Sequence, residues 1–356
     1  MQIGIAGLPG AGKTTLFNAL AHQHAQVGGY AGAEPNLAVV KVPDDRLDRL
    51  SELFQPRKHT PAEVRFVDVA GVAKGMGQES SAAVLAHLRT VDVLLQVIGA
   101  YQSGSNPRAD FEEFSLELQF ADLGQIEKRL DRLEKELRLG SKGTPQERSA
   151  KERELAVLQR VQPVLQSGQP IRAVELSREE QREIASFGFL TQKPTLVVAN
   201  LGDEQAANDV LGVLRPLVAE APHAEALAVP ARLEMELAEL SAEDAAEFVE
   251  ALGVTDRQLG NVTQRAYALA ELISFFTAGD DECRAWTIVQ GTNAQDAAGA
   301  IHSDLARGFI RAEVIRWDQL LEAGSEANAK KRGWVRQEGK SYTVADGEVL
   351  HVLFNV

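Results

Sequence analysis

Apolar positions fall along the chain in three textures. Short, near-continuous apolar runs at residues 3–6, 93–98 and 194–199 read as strands of a parallel sheet, buried on both faces. Residues 37–42 and 64–67 add two strands, and the weak run Ala226-Leu227-Ala228-Val229 adds another. Between 98 and 194 the period changes. Ile126, Leu130, Leu133 and Leu137 follow one another at coiled-coil spacing, with Asp131 before Lys135 and Glu134 before Arg138 as supporting pairs. Residues 140–145 break this helix, and a second carries Leu155, Leu158 and Leu165 to about Gly168. Ser177-Arg178-Glu179-Glu180 is a capping box for one more short helix. A polar helix and acidic helices then run to about Leu272. From Phe275 the texture alters again: residues 285–289, 309–315, 342–344 and 349–354 read as strands, and 295–305 as an alanine-rich helix. These patterns predict an α/β domain with an inserted helical hairpin, followed by a small α+β module.

The chemistry sits at the first strand's end. Gly7-Leu8-Pro9-Gly10-Ala11-Gly12-Lys13-Thr14 fits G-x-x-x-x-G-K-[ST] in full, between the run 3–6 and a helical pattern opening at Leu16-Phe17. A triphosphate needs many donors at close range, and backbone N–H groups supply them where side chains would obstruct. Gly10, Ala11, Gly12, Lys13, Thr14 and Thr15 are therefore the candidate phosphate-binding residues. Lys13 would reach the β- and γ-phosphates, and the Thr14 hydroxyl would hold Mg²⁺. The strand 64–67 delivers Asp68-Val69-Ala70-Gly71, placing an Asp for the Mg²⁺ through water and a Gly71 N–H for the γ-phosphate. The glycine-rich stretches 28–36 and 71–77 read as loops that can move.

Composition narrows the class. The chain has 356 residues, 44% hydrophobic and 25% charged, with no apolar run long enough to cross a membrane, so a membrane partner is not expected. Its first residues enter a strand directly, leaving no room for a signal peptide, and its one cysteine, Cys283, fits a reducing cytoplasm. A net charge of −14 argues against a protein that coats nucleic acid, and no DNA partner is expected. Residues 124–186, however, carry 13 Lys and Arg against 11 Asp and Glu. This least acidic stretch permits an RNA contact through Lys128, Arg129, Arg132, Lys142, Arg148 and Lys151.

The chain resembles the YchF family, the Obg-like ATPases of the Obg branch of P-loop GTPase-like proteins, along essentially its whole length. The marks are Gly7-Leu8-Pro9, Glu34-Pro35-Asn36 with Val42-Pro43-Asp44, Asp68-Val69-Ala70-Gly71-Val72, Phe275-Phe276-Thr277-Ala278-Gly279, Arg284-Ala285-Trp286-Thr287, Gly308-Phe309-Ile310-Arg311-Ala312 and Phe354-Asn355-Val356. The resemblance implies a Ras-like P-loop NTPase domain at 1–122 and 188–273, a coiled-coil insertion at 123–187 and a ubiquitin-like (β-grasp) TGS domain at 274–356. It also implies association with ribosomes, ribosomal RNA or translation factors. Four departures stand out. The family's Phe-Cys-Thr-Ile is Tyr30-Ala31-Gly32-Ala33 here, so the switch threonine is Gly32 and the redox-linked cysteine is Ala31. A family histidine on the strand after the second switch is Gln96, and the second-switch loop is shortened around Gly75-Met76-Gly77.

The base-recognition stretch also departs. GTPases use Asn-Lys-x-Asp and the family Asn-x-x-Glu; this chain has Asn200-Leu201-Gly202-Asp203. Leu201 would cover a purine as in the family, whereas the Asp203 carboxylate suits guanine better than adenine N1. Asn200, Leu201 and Asp203, with Ala231 and Arg232 of the loop after 226–229, are the candidate base-side residues. The resulting expectation is a Mg²⁺-dependent purine NTPase switch that favours ATP slightly over GTP. Catalysis would rest on Lys13, Mg²⁺ and the Gly71 backbone, with no assigned general base and slow intrinsic turnover. The alternatives are a GTP-specific enzyme, or a ribosome or RNA adaptor holding nucleotide structurally with little hydrolysis; Gly32 and Gln96 favour the adaptor.

Overall fold

The computed structural model describes residues 1–21, 35–69, 71, 78–102, 104–138, 144–202, 206–238, 240–241, 243–245, 247 and 258–355. In chain order its first elements are β1 (Gln2–Ala6), α1 (Lys13–Ala21), β2 (Asn36–Lys41), α2 (Asp45–Phe54), β3 (Lys58–Thr60), β4 (Glu63–Asp68), α3 (Gln78–Arg89) and β5 (Val93–Ala100). There follow α4 (Pro107–Arg138), α5 (Pro145–Gln166), α6 (Arg178–Ile184), β6 (Thr195–Leu201), α7 (Ala207–Val218), β7 (Ala224–Val229) and α8 (Ala231–Ala238). The chain divides into two compact units, one of Met1–Val39 with Arg65–Val262, the other of Val40–Val64 with Thr263–Val356.

In the first unit the strands lie in the order β2-β4-β1-β5-β6-β7, and β4, β1, β5, β6 and β7 are mutually parallel. The runs read as buried strands are buried: Ile3, Ile5, Leu94, Leu95, Val97, Leu196, Val197 and Val198 are all nearly inaccessible. Parallel register aligns the carboxyl ends, with Ile5 opposite Asp68 and Asn200 opposite Gly99. In open α/β sheets that edge is where ligands bind.

The hairpin is α4 and α5. Ile126, Leu130 and Leu133 of α4 pack on Val157, Leu158, Val161 and Leu165 of α5, as the seam predicts. A capping box from Thr144 and Glu147 opens α5, and the one read at Ser177 and Glu180 opens α6. The helix α4 starts well before the expected boundary at 123, because nothing between Pro107 and Arg138 breaks it. Its first half packs Phe114 and Leu118 into the sheet-side core, so one helix serves both parts. Asp122 is fully buried at the change-over. Its carboxylate accepts from Arg89 Nη1 at 2.9 Å, Leu190 N at 3.1 Å, Thr191 N at 2.8 Å and Thr191 Oγ1 at 2.9 Å.

The second unit is built on a mixed sheet. Its strands are β8 (Leu272–Thr277), β9 (Glu282–Val289), β10 (Phe309–Arg316), β11 (Arg336–Glu338) and β12 (Glu348–Phe354), in the order β11-β10-β12-β8-β9-β3. The helix Ala294–Ile301 packs Ala294, Ala297 and Ala298 onto Phe275, Val314 and Leu350. Three readings change. The expected helix 295–305 stops at Ile301, where His302 is extended, and Ser303–Arg307 forms a separate short turn of helix. Residues 342–344 make an isolated bridge, Thr343 to Asn293, rather than a strand. Residues 40–64, expected within the nucleotide domain, belong here. Strand β3 pairs in parallel with Glu282–Arg284 of β9, and Thr60 Oγ1 donates to Glu282 at 2.6 Å. Arg46 of α2 ties Asp44 at 2.8 Å to Asp346 at 2.7 Å, while Leu47 and Leu50 are buried.

Candidate functional site

The loop from Gly7 to Gly12 leaves β1 and runs into α1, whose first residue is Lys13. Gly10 and Gly12 take φ of +77° and +88°, the region glycine adopts without strain. Gly12 is required for space as well, since a Cβ there would come 2.0 Å from the Asn200 amide nitrogen. That amide braces the loop: Asn200 Nδ2 donates to Ala11 O at 3.1 Å, and Asn200 Oδ1 accepts from Ala231 N at 3.2 Å. The loop therefore curls against β6 and leads into α1, where the N–H groups of the helix start and the helix dipole favour an anion.

Lys13 folds back over this loop, its ammonium donating to Leu8 O at 2.9 Å. Only 7% of it is exposed, and burial pushes its pKa down to about 8, opposed in part by the Asp68 charge. Gly71 lies against it: a Cβ at Gly71 would meet Pro9 N at 2.7 Å and Lys13 Nζ at 2.8 Å. Thr14 Oγ1 donates to Asp68 Oδ2 at 3.0 Å, and Asn36 Nδ2 donates to the same oxygen at 3.2 Å. The other carboxylate oxygen, Asp68 Oδ1, is buried with no partner among the described residues. Burial raises the Asp68 pKa, with the Asn36, Thr14 and Lys13 interactions opposing it. An orphaned buried carboxylate oxygen beside a hydroxyl is costly alone and suits a hard cation.

Two members of this cluster are not among the candidate site residues read from the sequence, although Asn36 belongs to the Glu34-Pro35-Asn36 mark. Asn36 opens β2 and reaches Asp68, and the Tyr101 hydroxyl, just past β5, donates to Gly10 O. Thr15 is half-buried in the first turn of α1. On the base side the picture is mixed. Leu201 packs into the core with Ile98, Val210 and Leu211, so its side chain is committed inward. The Ala231 N–H is taken by Asn200, and Arg232 Nε pairs with Glu236 at 3.0 Å. Asp203, the Tyr30–Ala33 stretch and Gly75–Gly77 lie outside the described residues. Gln96 is buried on β5, and its amide donates to Phe111 O of α4 at 3.4 Å, so this side chain serves the hairpin root.

The candidate hairpin face is largely self-paired. Arg129 binds Glu154 at 2.6 Å, Arg132 binds Glu136 at 2.9 Å, Arg148 binds Glu152 at 3.0 Å and Lys151 binds Glu136 at 2.9 Å. Arg129 is the most enclosed of these and ties α4 to α5. Lys128 has no ion pair among the described residues, and Lys142 lies outside them.

A parallel sheet whose first strand feeds a glycine-curled loop, a buried lysine and a helix start defines a P-loop nucleotide-hydrolase fold. Comparison with known proteins agrees and is narrower. Residues 2–134 match the family described as 50S ribosome-binding GTPases. Residues 272–355 match the YchF-GTPase C-terminal family, described as a protein of unknown function. The chain is 38% identical to the ribosome-binding ATPase YchF of Bacillus subtilis (strain 168), over all of both chains. It is 37% identical to that of Escherichia coli O157:H7, covering 100% of this chain and 99% of the relative. The solved Schizosaccharomyces pombe YchF GTPase superposes with a TM-score of 0.85 at 29% identity, covering 99% of this chain and 97% of that one. The chain belongs to the YchF family.

A pH dependence follows from the lysine. A phosphate ligand needs the charged ammonium, whereas in the free protein about half of Lys13 is neutral near pH 8. Triphosphate affinity is expected to fall as pH rises through 8, approaching about tenfold per pH unit while the bound lysine stays charged. Calorimetry at pH 8.5 in buffers of different ionisation enthalpy should show proton uptake on binding. Flat affinity from pH 7 to 9 without uptake would contradict it.

Proposed function

We propose that this chain is a Mg²⁺-dependent purine nucleoside triphosphatase that works as a switch on ribosomes, with ATP preferred slightly over GTP. The observation that carries the reading is the convergence of Lys13, Thr14, Asp68 and Gly71 at the mouth of one glycine-curled loop. Family membership supports both parts, since the bacterial relatives are named ribosome-binding ATPases. Thr14 and Asp68 would hold the Mg²⁺, Asp68 through water, and the bound ion would neutralise charge on the β- and γ-phosphates. Lys13 would exchange Leu8 O for phosphate oxygens, and the N–H groups of residues 10–15 would cradle the chain of phosphates. The Gly71 N–H would meet the γ-phosphate, a close approach that no side chain at 71 allows. Positioning and electrostatics then supply the rate, with no side chain assigned as general base. On the base side, Asn200 holds the loop, while Asp203, Ala231 and Arg232 would flank the purine; Leu201, packed into the core, does not cover it. Functionally the chain divides into a nucleotide domain, the coiled-coil insertion and a TGS-like domain, and it acts in the cytoplasm.

Phosphate release by the purified chain, with and without ribosomes, separates this switch from an adaptor holding nucleotide structurally. The switch predicts slow release that ribosomes accelerate; the adaptor predicts none in either case. The hairpin is the proposed ribosome contact, with its salt-paired basic residues exchanging acidic neighbours for RNA phosphates. Replacing Lys128, Arg132, Arg148 and Lys151 with Gln is expected to weaken co-sedimentation with ribosomes. The slope of log affinity against log salt should fall by about 0.7–0.9 for each phosphate no longer neutralised. Unchanged affinity and slope would move the contact elsewhere, first to Lys330-Lys331-Arg332.

A further inference from the structure

A cavity of ≈ 340 Å³ opens in the first unit at the hairpin root, and none of its lining residues belongs to the P-loop. Its floor is buried and mixed in polarity, with Gln96, Leu118, Thr191 and Thr195. Phe111, Pro170 and Leu217 give it apolar walls. The size is that of a small-molecule pocket, and the mixture of apolar wall with a few polar groups is what such pockets show.

Arg172 makes the cavity unusual. Its guanidinium makes one hydrogen bond among the described residues, Nη1 to Thr191 O at 3.3 Å, while Nε is buried and unpartnered. No carboxylate pairs with it among the described residues, and burial pulls its pKa down to about 10 with no acid opposing the fall. Asp122, which Thr191 links to the cavity wall, is filled by four donors, and Glu112 at the rim pairs with Arg108 at 2.8 Å. The third acid, Glu220, lines the cavity from an exposed position and makes no ion pair with Arg172. Arg172 is half-buried, with its Nε sealed from solvent. A cation so enclosed without a counter-charge is costly, and a planar guanidinium fork is matched by an oxyanion.

We propose that this cavity is a second binding site of the chain, for a small molecule with one oxyanion head, carboxylate or phosphate monoester, on a compact apolar body. The head meets Arg172, and the body lies between Phe111, Pro170 and Leu217. The walls come from α4, from the turn after α5 and from α7, so an occupant braces the hairpin root against the sheet.

The test is a titration of the full chain with benzoate and, separately, phenyl phosphate, read on leucine methyl signals. Benzyl alcohol is the uncharged control. The Leu118 and Leu217 methyls should shift with at least one charged probe and stay still with benzyl alcohol. Which probe acts tells whether the head is a carboxylate or a phosphate. Any shift at Leu16, under the P-loop, reports nucleotide-site binding separately. Arg172→Gln should weaken the Leu118 and Leu217 response by about tenfold or more. Leu217→Trp, which keeps Arg172 and fills the cavity from its wall, should abolish it and decides the matter if Arg172→Gln fails to fold. The proposal is overturned by still Leu118 and Leu217 methyls at millimolar probe. Equal binding of benzyl alcohol, or binding that survives both variants, overturns it as well.

Discussion

Lys13→Ala is expected to cost at least about a hundredfold in affinity for ATP and GTP while leaving the chain folded. A charge-assisted hydrogen bond to phosphate contributes about 1.5–3 kcal/mol, and as a P-loop lysine Lys13 would contact two phosphates, so the loss would compound. The fold should survive because the side chain's own partner is a single carbonyl, Leu8 O. Burial already lowers its pKa to about 8, so truncation removes a desolvated charge as well as a bond. What remains is Asp68 with less opposing charge, a modest penalty at one half-satisfied carboxylate. Fluorescent-nucleotide titration beside a far-ultraviolet dichroism spectrum reads both halves of the expectation. A folded Lys13→Ala chain with wild-type affinity would remove the P-loop from the account.

Asp122→Ala is expected to be the most damaging single change to stability, by about 3–5 kcal/mol in urea unfolding of the first unit. The carboxylate, on α4, is wholly buried and holds four donors from two other segments: Arg89 at the end of α3, and Leu190 and Thr191 just before β6. Removing it leaves a guanidinium half out of water without its partner and orphans two backbone N–H groups. Asp122→Asn should be milder, since it keeps the shape but must turn one donor toward donors. Amide exchange at Leu190 and Thr191 should accelerate in both variants. A loss under about 1 kcal/mol for Asp122→Ala would mean the root of the hairpin is held by its apolar packing instead.

The P-loop, the parallel strands and the leucine seam are legible in the sequence because each has a local cause: glycine at positive φ, continuous apolar runs and a repeating helical period. What is hidden is long-range. Strand β3 is Lys58-His59-Thr60, polar throughout, and it exists because Glu282–Arg284 offers an edge more than two hundred residues later. The same pairing carries α2 out of the expected nucleotide domain and into the second unit. Nothing in the sequence singles out Asp122, because Arg89 and Thr191 lie 33 and 69 residues away along the chain. Gln96 stands where the family has a histidine, yet strand alternation sends its side chain to Phe111. The hairpin's basic residues suggest an open cationic face, whereas acids one turn away or across the seam pair most of them. Among the site residues, Tyr101 is invisible in the sequence, and Asn36 is legible there only as part of Glu34-Pro35-Asn36, because their partners, Gly10 and Asp68, lie on other strands and loops.

The central claim is that Thr14, Asp68 and Lys13 form one Mg²⁺-triphosphate cradle, and an equilibrium titration of the full chain with ATP, with and without Mg²⁺, tests it most directly. In the wild type Mg²⁺ is expected to tighten binding, and an Asp68→Asn chain is expected to bind ATP with little response to the ion. Binding indifferent to Mg²⁺ in the wild type, or no ATP or GTP binding at all, would contradict it.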